Sequence, residues 1–217
     1  MTLGTLRTQC LGHQFSSNQY STYCDEAINE AQADLAQEIE FRALFDVETV
    51  TTVAGTITYT LPTDYMRSYS LEDTEENQEL VFYPVGDYDL LDQDFSSGRP
   101  SVYTIDRGNI RLYPTPDAVY SLDFRHYRSP ATLAADADIP EIPTRYHKLL
   151  RMYALARLFE RENDLTQAQF HQERYNQEKS RAAADLQADT DDKQPSQVAG
   201  MWGDSGVLAP SSDLWPL

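Results

Sequence analysis

The fold follows from residues 120–127, which read Tyr120-Ser121-Leu122-Asp123-Phe124-Arg125-His126-Tyr127. Tyr, Leu, Phe and His alternate here with Ser, Asp, Arg and Tyr. Since successive side chains of a strand point to opposite faces of a sheet, this alternation predicts a strand with one buried face. A similar texture, rich in Thr, Val, Ile and Tyr and interrupted by turn residues, extends over residues 47–127 and predicts a β region.

Shorter runs ahead of this strand predict hairpins, because turn-forming residues separate them in pairs. Gly and Asn accept the backbone angles that tight turns require. The pairs are 50–53 and 56–61 around Ala54-Gly55, 65–71 and 80–83 around a polar acidic turn, and 101–105 and 110–113 around Arg107-Gly108-Asn109. Parallel strands need long crossover connections, so these short connections predict antiparallel pairing.

Two helices are predicted ahead of the β region. The first carries Leu3, Leu6 and Cys10 at helical spacing and ends at Gly12. The second is predicted to begin after a capping box formed by Thr22 and Asp25 and to stop near Phe45. Its apolar residues recur at i, i+3, i+7 and i+11, which is one face of a helix, and they are Ile28, Ala31, Leu35 and Ile39.

Two more helices are predicted after the β region. The third has Thr144 as its N-cap and is apolar around most of its circumference, which is typical of a helix buried on several sides. A break at 162–164 separates it from the fourth, which runs from about Leu165 to Leu186. In the fourth helix an apolar or aromatic residue recurs every seven residues, at Ala168, Tyr175 and Ala182.

The predicted fold class is therefore α+β. It is a bundle of about four helices with an inserted antiparallel β domain and an extended C-terminal tail. The predicted boundaries are 1–45 and 137–187 for the two parts of the helical domain, 46–136 for the β domain and 188–217 for the tail. The tail has no periodicity and contains Gly, Pro, Ser and Asp, yet it also carries Trp202, Leu214, Trp215 and Leu217. Apolar anchors in such a polar segment suggest folding on a partner.

Composition narrows the function. The chain has 217 residues and a formal net charge of -18, which argues against a protein that wraps nucleic acid, because phosphates require Lys and Arg. The charge fits a surface that lets DNA pass without adhering, or it serves solubility alone. The first residues do not resemble a signal peptide, and no stretch approaches the roughly 18 apolar residues of a membrane span. We expect a protein that is assembled in the cytoplasm.

Motifs for catalysis or metal binding are not recognisable. The histidines do not form H-x-x-x-H or E-x-x-H spacings, and Cys10 precedes His13 without a second ligand pair nearby. His147 lies among apolar residues, which favours a structural role. We therefore expect no enzyme, no cofactor and no metal. An unrecognised hydrolase among the many carboxylates stays open as an alternative, since sequence does not show their separations.

Short motifs follow one another in a characteristic order along residues 2–185. They are Ala27-Ile28-Asn29-Glu30-Ala31-Gln32-Ala33-Asp34-Leu35, Tyr59-Thr60-Leu61-Pro62, Gly98-Arg99-Pro100-Ser101, Ile110-Arg111-Leu112-Tyr113-Pro114-Thr115-Pro116, Ile139-Pro140-Glu141-Ile142-Pro143 and Tyr146-His147-Lys148-Leu149-Leu150. In this order and spacing they resemble the head-to-tail adaptor proteins of tailed bacteriophages.

The resemblance implies a subunit of a dodecameric ring that docks on the portal protein in the neck of the virion, after assembly in the host bacterial cytoplasm. Such a ring extends the DNA channel, lets DNA pass without specific binding, and offers a platform for the next neck or tail protein. We expect the tail residues Trp202, Leu214, Trp215 and Leu217 to bind the portal. The alternative is an interaction module without a ring, which binds a protein or ligand through the β insertion.

Two groups of charged residues complete the expected sites. Basic residues are scarce in so acidic a chain, so Arg42, Arg174 and Arg181 are expected at the contacts between subunits. An acidic run is expected either to line the channel, where it keeps DNA from adhering, or to lie outside, where it serves only solubility. It consists of Glu72, Asp73, Glu75, Glu76 and Glu79.

Overall fold

The structure, a computed structural model, describes residues 1–12, 15, 17–91 and 96–191, without the side chains of residues 17, 18 and 187–191. Within these ranges the helices are α1 (Leu3–Leu11), α2 (Ser17–Glu38), α3 (Val85–Tyr88), α4 (His147–Arg161) and α5 (Leu165–Asp191). The strands are β1 (Phe45–Thr51), β2 (Thr58–Thr60), β3 (Tyr65–Asp73), β4 (Gln78–Glu79), β5 (Val81–Phe82), β6 (Val102–Asp106), β7 (Asn109–Tyr113) and β8 (Ser121–Arg128). The α+β class is confirmed.

Helix α4 is the centre of the helical layer and packs against α1, α2 and α5. The apolar stripes predicted for these helices are all buried in one shared cluster, which includes Ile28 of α2, Leu150 of α4 and Tyr175 of α5. Burying a side chain of the size of leucine stabilises a fold by about 1.5–3 kcal/mol. The stripes therefore supply the apolar surface that holds α2 and α5 against α4.

Two amide side chains on α2 attach the segment that returns from the β region. Asn29 donates to the carbonyl of Leu133 at 3.0 Å and accepts from its amide at 2.8 Å. Gln32, itself 1% exposed, donates to the carbonyl of Ala131 at 2.9 Å and accepts from the amide of Glu141 at 3.3 Å. Each amide thus satisfies two backbone groups that the irregular segment leaves without a strand or helix partner.

The β region consists of two four-stranded sheets, with the strand orders β1-β8-β3-β4 and β2-β7-β6-β5. Leu71 and Phe124 from the first sheet share a hydrophobic cluster with Ile110 and Leu112 from the second, so the sheets pack face to face. Strand β8 lies between β1 and β3 and has the alternating burial that its sequence predicts, with Leu122, Phe124 and His126 inside.

The hairpin predicted around Arg107-Gly108 is confirmed. Asp106 pairs with Asn109, so the connection has two residues, and both have positive φ, 48° at Arg107 and 76° at Gly108. Two successive residues with positive φ are the feature of the type I′ turn, whose twist matches that of the flanking strands.

The hairpin predicted around Ala54-Gly55 is wrong. Strand β1 pairs with β8 along its whole length, whereas β2 pairs with β7 in the other sheet. Gly55 does turn the chain, with φ at 79°, but the turn carries it from one sheet to the next. Turn residues specify a reversal of the chain and not the strand against which the following residues pair.

The pairing is not antiparallel throughout. Strand β5 pairs in parallel with β6, with Val81 beside Val102 and Phe82 beside Tyr103. The connection between them, residues 83–101, contains α3 and is long enough for a parallel crossover. The prediction considered only the short connections and therefore missed this long one.

Several predicted helix ends are also wrong. Helix α2 already begins at Ser17, so Thr22 and Asp25 lie inside it, and it ends at Glu38. Phe41 lies beyond the end of the helix and packs its ring 5.5 Å from that of Tyr146, where it is buried. Thr144 starts a 3-10 turn ahead of α4 without a side-chain cap, and α5 continues to Asp191.

Candidate interaction surfaces

The predicted acidic run surrounds the turn between β3 and β4, and Arg99 lies at its centre. The Nε atom of Arg99 is 2.6 Å from Asp73, while its two Nη atoms are 2.6 Å from Glu75 and 3.0 Å from Glu76. Asp73 also accepts the backbone amides of Glu75 and Glu76, at 2.9 and 3.2 Å. The Arg99 guanidinium holds the pKa of Asp73 below its ordinary value, assisted by these two amides.

Ion pairs with arginine partly neutralise the carboxylates of the acidic run. Glu72 forms an ion pair of 2.5 Å with Arg125, so four of the five carboxylates share two guanidinium groups. Glu79 is exposed on the short strand β4. Sequence reasoning missed the role of Arg99, although Gly98-Arg99-Pro100-Ser101 stood among the motifs of the resemblance. The run remains acidic, and whether it faces a channel stays a prediction.

The three arginines expected at subunit contacts are all exposed. Arg42 lies in the 3-10 turn Arg42–Leu44 between α2 and β1, outside the helix where it was expected. Arg174 and Arg181 lie on α5. The side chain of Arg181 is 72% exposed and donates to Glu178 at 2.8 Å, and the guanidinium of Arg174 lies 5.6 Å from the ring centre of Phe170.

A basic flank, defined as Lys148, Arg151, Arg174 and Arg181, runs along α4 and α5. Glu178 accepts from both Lys148 and Arg181. His171 lies in the same flank, stacked on Phe159 with ring centres 5.4 Å apart. Burial lowers the pKa of His171, and the positive charges of Arg174 and Arg151 lower it further. The basic flank therefore brings four basic side chains and the carboxylate of Glu178 together on two neighbouring helices of an acidic chain.

The portal-binding residues expected in the tail, Trp202, Leu214, Trp215 and Leu217, lie outside the described residues. Helix α5 carries the chain as far as Asp191. Their role stays a prediction.

The buried histidine of α4 has the structural role that its sequence context favours. His147 is fully buried, its Nε2 lies 2.8 Å from the carbonyl of Ile142, and its Nδ1 lies 3.1 Å from the amino group of Met1. An Nε2–H tautomer donates to the carbonyl and accepts at Nδ1. Burial lowers the pKa of His147, which favours this neutral form.

The hydrolase alternative requires acidic or metal-binding side chains that act together at one site. Over the described ranges, no group of three or more His, Cys, Asp or Glu side chains could hold a metal ion. An open cleft of about 480 Å³ contains Glu162 and Asp164. Both are engaged in structure, because Glu162 accepts from Tyr20 and Asp164 accepts from the amide of Gln167 at the start of α5. In the part of the chain that is described, no helix is long and apolar enough to cross a membrane.

A family model described as SU10 adaptor protein matches residues 1–200. The chain belongs to this family of phage head-to-tail adaptors, which confirms the resemblance found in the sequence. It is therefore a phage adaptor protein, a component of the virion that interacts with other head or tail proteins. Among curated proteins, none matches the chain.

Proposed function

We propose that copies of this protein form a ring beneath the portal, extend the DNA channel there, and present a platform to the next neck or tail protein. Membership of the adaptor family over residues 1–200 is the observation that carries this proposal. The exposed carboxylates Glu26 and Glu30 on α2 and the exposed Arg174 and Arg181 on α5 support contacts between copies. The protein is monomeric or weakly associated on its own and becomes ordered into a ring, a dodecamer, on the portal.

The channel function rests on charge. A ring repeats the net charge of -18 once per copy, which creates a strongly negative potential around the passing DNA. We place the acidic turn around Glu75 and Glu76 at the lumen. Arg99 fixes the shape of this turn, while the surplus of carboxylates over guanidinium groups keeps it repulsive to phosphates.

The tail is the proposed clasp on the portal. Residues 192–217 follow α5, and an extended chain of this length reaches roughly 85 Å at about 3.3 Å per residue. That is far enough to leave the subunit and lie along another protein. Trp202 and Trp215 are side chains of the type that anchors interfaces by filling apolar pockets.

Purified protein mixed with the purified portal of the same phage tests the proposal. The mass of the protein alone and of the mixture is measured, and the complex is imaged by electron microscopy. We expect monomers or weak oligomers alone and a complete ring on each portal in the mixture. A protein that stays monomeric or dimeric and leaves the portal bare would instead be an interaction module without a ring.

A further inference from the structure

The basic flank points away from helix α2 of its own subunit. Lys179 on α5 reaches back to α2, with its Nζ atom 3.2 Å from Asp34 and 2.8 Å from Glu38. An α-helix turns by roughly 100° per residue, so Arg174 and Arg181 lie about 140–160° around α5 from Lys179. These two arginines are therefore directed outward on the far side of the helical layer.

An acidic face, defined as Glu26 and Glu30, lies on the outward side of α2. These two carboxylates are one turn apart and exposed, opposite the buried residues Ile28 and Leu35. The side chain of Glu30 is 60% exposed. Its carboxylate lies 3.8 Å from the guanidinium of Arg157, which is a long ion pair and leaves the carboxylate accessible to a second partner. One turn further along, Ala33 is exposed as well, and its small side chain allows another helix to approach closely.

We propose that the basic flank of one copy docks on the acidic face of the next copy, and that this contact builds the ring. The inference rests on the proposed ring function and names the surfaces that form it. Because the two surfaces differ and point in different directions, a copy that uses its basic flank on one neighbour keeps its acidic face for another. Such head-to-tail contacts generate a closed ring when the rotation per copy closes.

Two observations favour a second copy as the partner of the basic flank. The first is charge, because every copy of this acidic chain supplies complementary carboxylates. Opposite charges steer the encounter of two surfaces and fix the register of their interface. Phe170 is half exposed beneath Arg174. Phenylalanine and arginine are both enriched in protein interfaces.

Charge reversal tests the pairing. One variant carries Arg174→Glu and Arg181→Glu, the other Glu26→Lys and Glu30→Lys. Alone, each puts like charges into every contact, so the concentration needed to half-fill the portal should rise at least about tenfold. An equal mixture can alternate around the ring so that every contact joins opposite charges, and it should restore occupancy. A chain with all four substitutions should restore it as well.

Matched controls keep the result clear. Arg107→Glu reverses a side chain that is 91% exposed in the β6–β7 turn, and it should leave portal occupancy unchanged. Circular dichroism and thermal unfolding establish that each variant folds. Should a reversal variant not fold, the neutral pair Arg174→Gln and Arg181→Gln replaces it, with an expected loss of occupancy and a weaker dependence on salt.

The outcomes separate this inference from the proposed function. If the unchanged protein fails to decorate the portal, the ring function itself is wrong. If it decorates the portal and the reversal variants do so equally well, only the pairing of these two surfaces is wrong. The pairing is also wrong if both variants fail and neither the mixture nor the fourfold substitution restores the ring, or if the basic flank proves to retain DNA instead.

Discussion

At the scale of single residues, Arg99 and Asp73 decide the shape of the acidic turn. Asp73 is buried to all but 3% of its side chain, and it joins the guanidinium to two backbone amides of the turn. Glu75 and Glu76 add exposed carboxylates to the same guanidinium. The exposed pairs contribute little, whereas the buried carboxylate, which has few water contacts to replace its partners, contributes most.

Asp73→Asn should lower the free energy of unfolding by about 1–2 kcal/mol near neutral pH, because it removes a charged acceptor but keeps an oxygen for the amides. The pKa of Asp73 is lowered in the fold from an ordinary value of 3.8, so its contribution is present above that pH and is lost as the pH falls through the folded pKa. Urea unfolding near pH 7 and near pH 3 measures the difference, which should shrink at the lower pH.

Glu75→Gln is the matched control for Asp73→Asn. Glu75 contacts the same guanidinium, but its side chain is 58% exposed, so we expect a change below about 0.5 kcal/mol. Equal effects of the two substitutions would contradict the assignment of the buried carboxylate as the support of the turn.

The sequence alone predicts which residues are buried where apolar residues recur with a helical or strand period. It does not predict contacts between residues that lie far apart along the chain. The stripes of α2 and α5 follow from spacing within one helix, and their members are buried as predicted. The ion pair between Arg99 and Asp73 joins residues from different parts of the chain, and no local pattern marks it. The sequence therefore did not indicate that four of the five carboxylates of the acidic run form ion pairs.

At the scale of elements, the β6–β7 hairpin shows how a turn fixes pairing. Gly108 has a φ of 76° with open space around the position of a Cβ atom. A side chain added there would cause backbone strain but no steric clash. The loss of stability on substitution therefore depends on the positive φ of the turn and not on side-chain packing.

Gly108→Val should destabilise the protein by about 1–3 kcal/mol, because a β-branched residue is strained at positive φ. Arg107→Asn, at a φ of 48°, should be neutral or slightly stabilising, since Asn tolerates this region and favours type I′ turns. Thermal unfolding of both variants measures the effect. A neutral Gly108→Val would show that the strands impose the register without help from the turn.

The alternating strand and the tight turn were predictable because each is determined by the identity of consecutive residues. The partners of β1 and β2 were not, because pairing depends on strands that lie far along the chain. The parallel pair β5–β6 was missed for the same reason. Local sequence thus specifies elements more completely than it specifies the sheet to which each belongs.

At the scale of the whole molecule, α5 ends the described part of the chain and separates the folded region from the proposed clasp. A stop codon that replaces Asp192 leaves α5 intact up to Asp191. The truncated protein should unfold at an unchanged temperature, because the described members of both hydrophobic clusters all precede this point. It should bind the portal at least about tenfold more weakly, since loss of a few buried aromatic anchors removes several kcal/mol.

Mass measurement of portal complexes with the full and truncated proteins provides the comparison. A double substitution of Trp202→Ala and Trp215→Ala in the full chain is the matched control, because it keeps the length of the tail and removes only its anchors. If the truncated protein still fills every portal, the clasp is wrong and the folded region alone makes the joint.

The order of motifs along the chain was enough to indicate the family, which the family model confirms over residues 1–200. Ring size, partner and the direction of the acidic turn do not follow from this order, because each depends on copies or proteins outside the chain. The division into domains and the assignment of the tail likewise stay proposals.

The pairing of β1 with β8 has a consequence for the order in which the molecule folds. Phe45 lies beside Tyr127, so the chain leaves α2 and returns toward α4 through neighbouring strands. Without this ladder, bringing α4 onto α2 closes the loop of about 110 residues between Glu38 and His147, with a length-dependent entropic cost of about 4 kcal/mol. Once β1 and β8 are paired, most of this loop is already closed. Only the short segments that lead from α2 to β1 and from β8 to α4 then separate the two helices. We therefore expect the slow, non-local step of folding to be formation of the sheet, and the docking of α4 on α2 to follow it more rapidly.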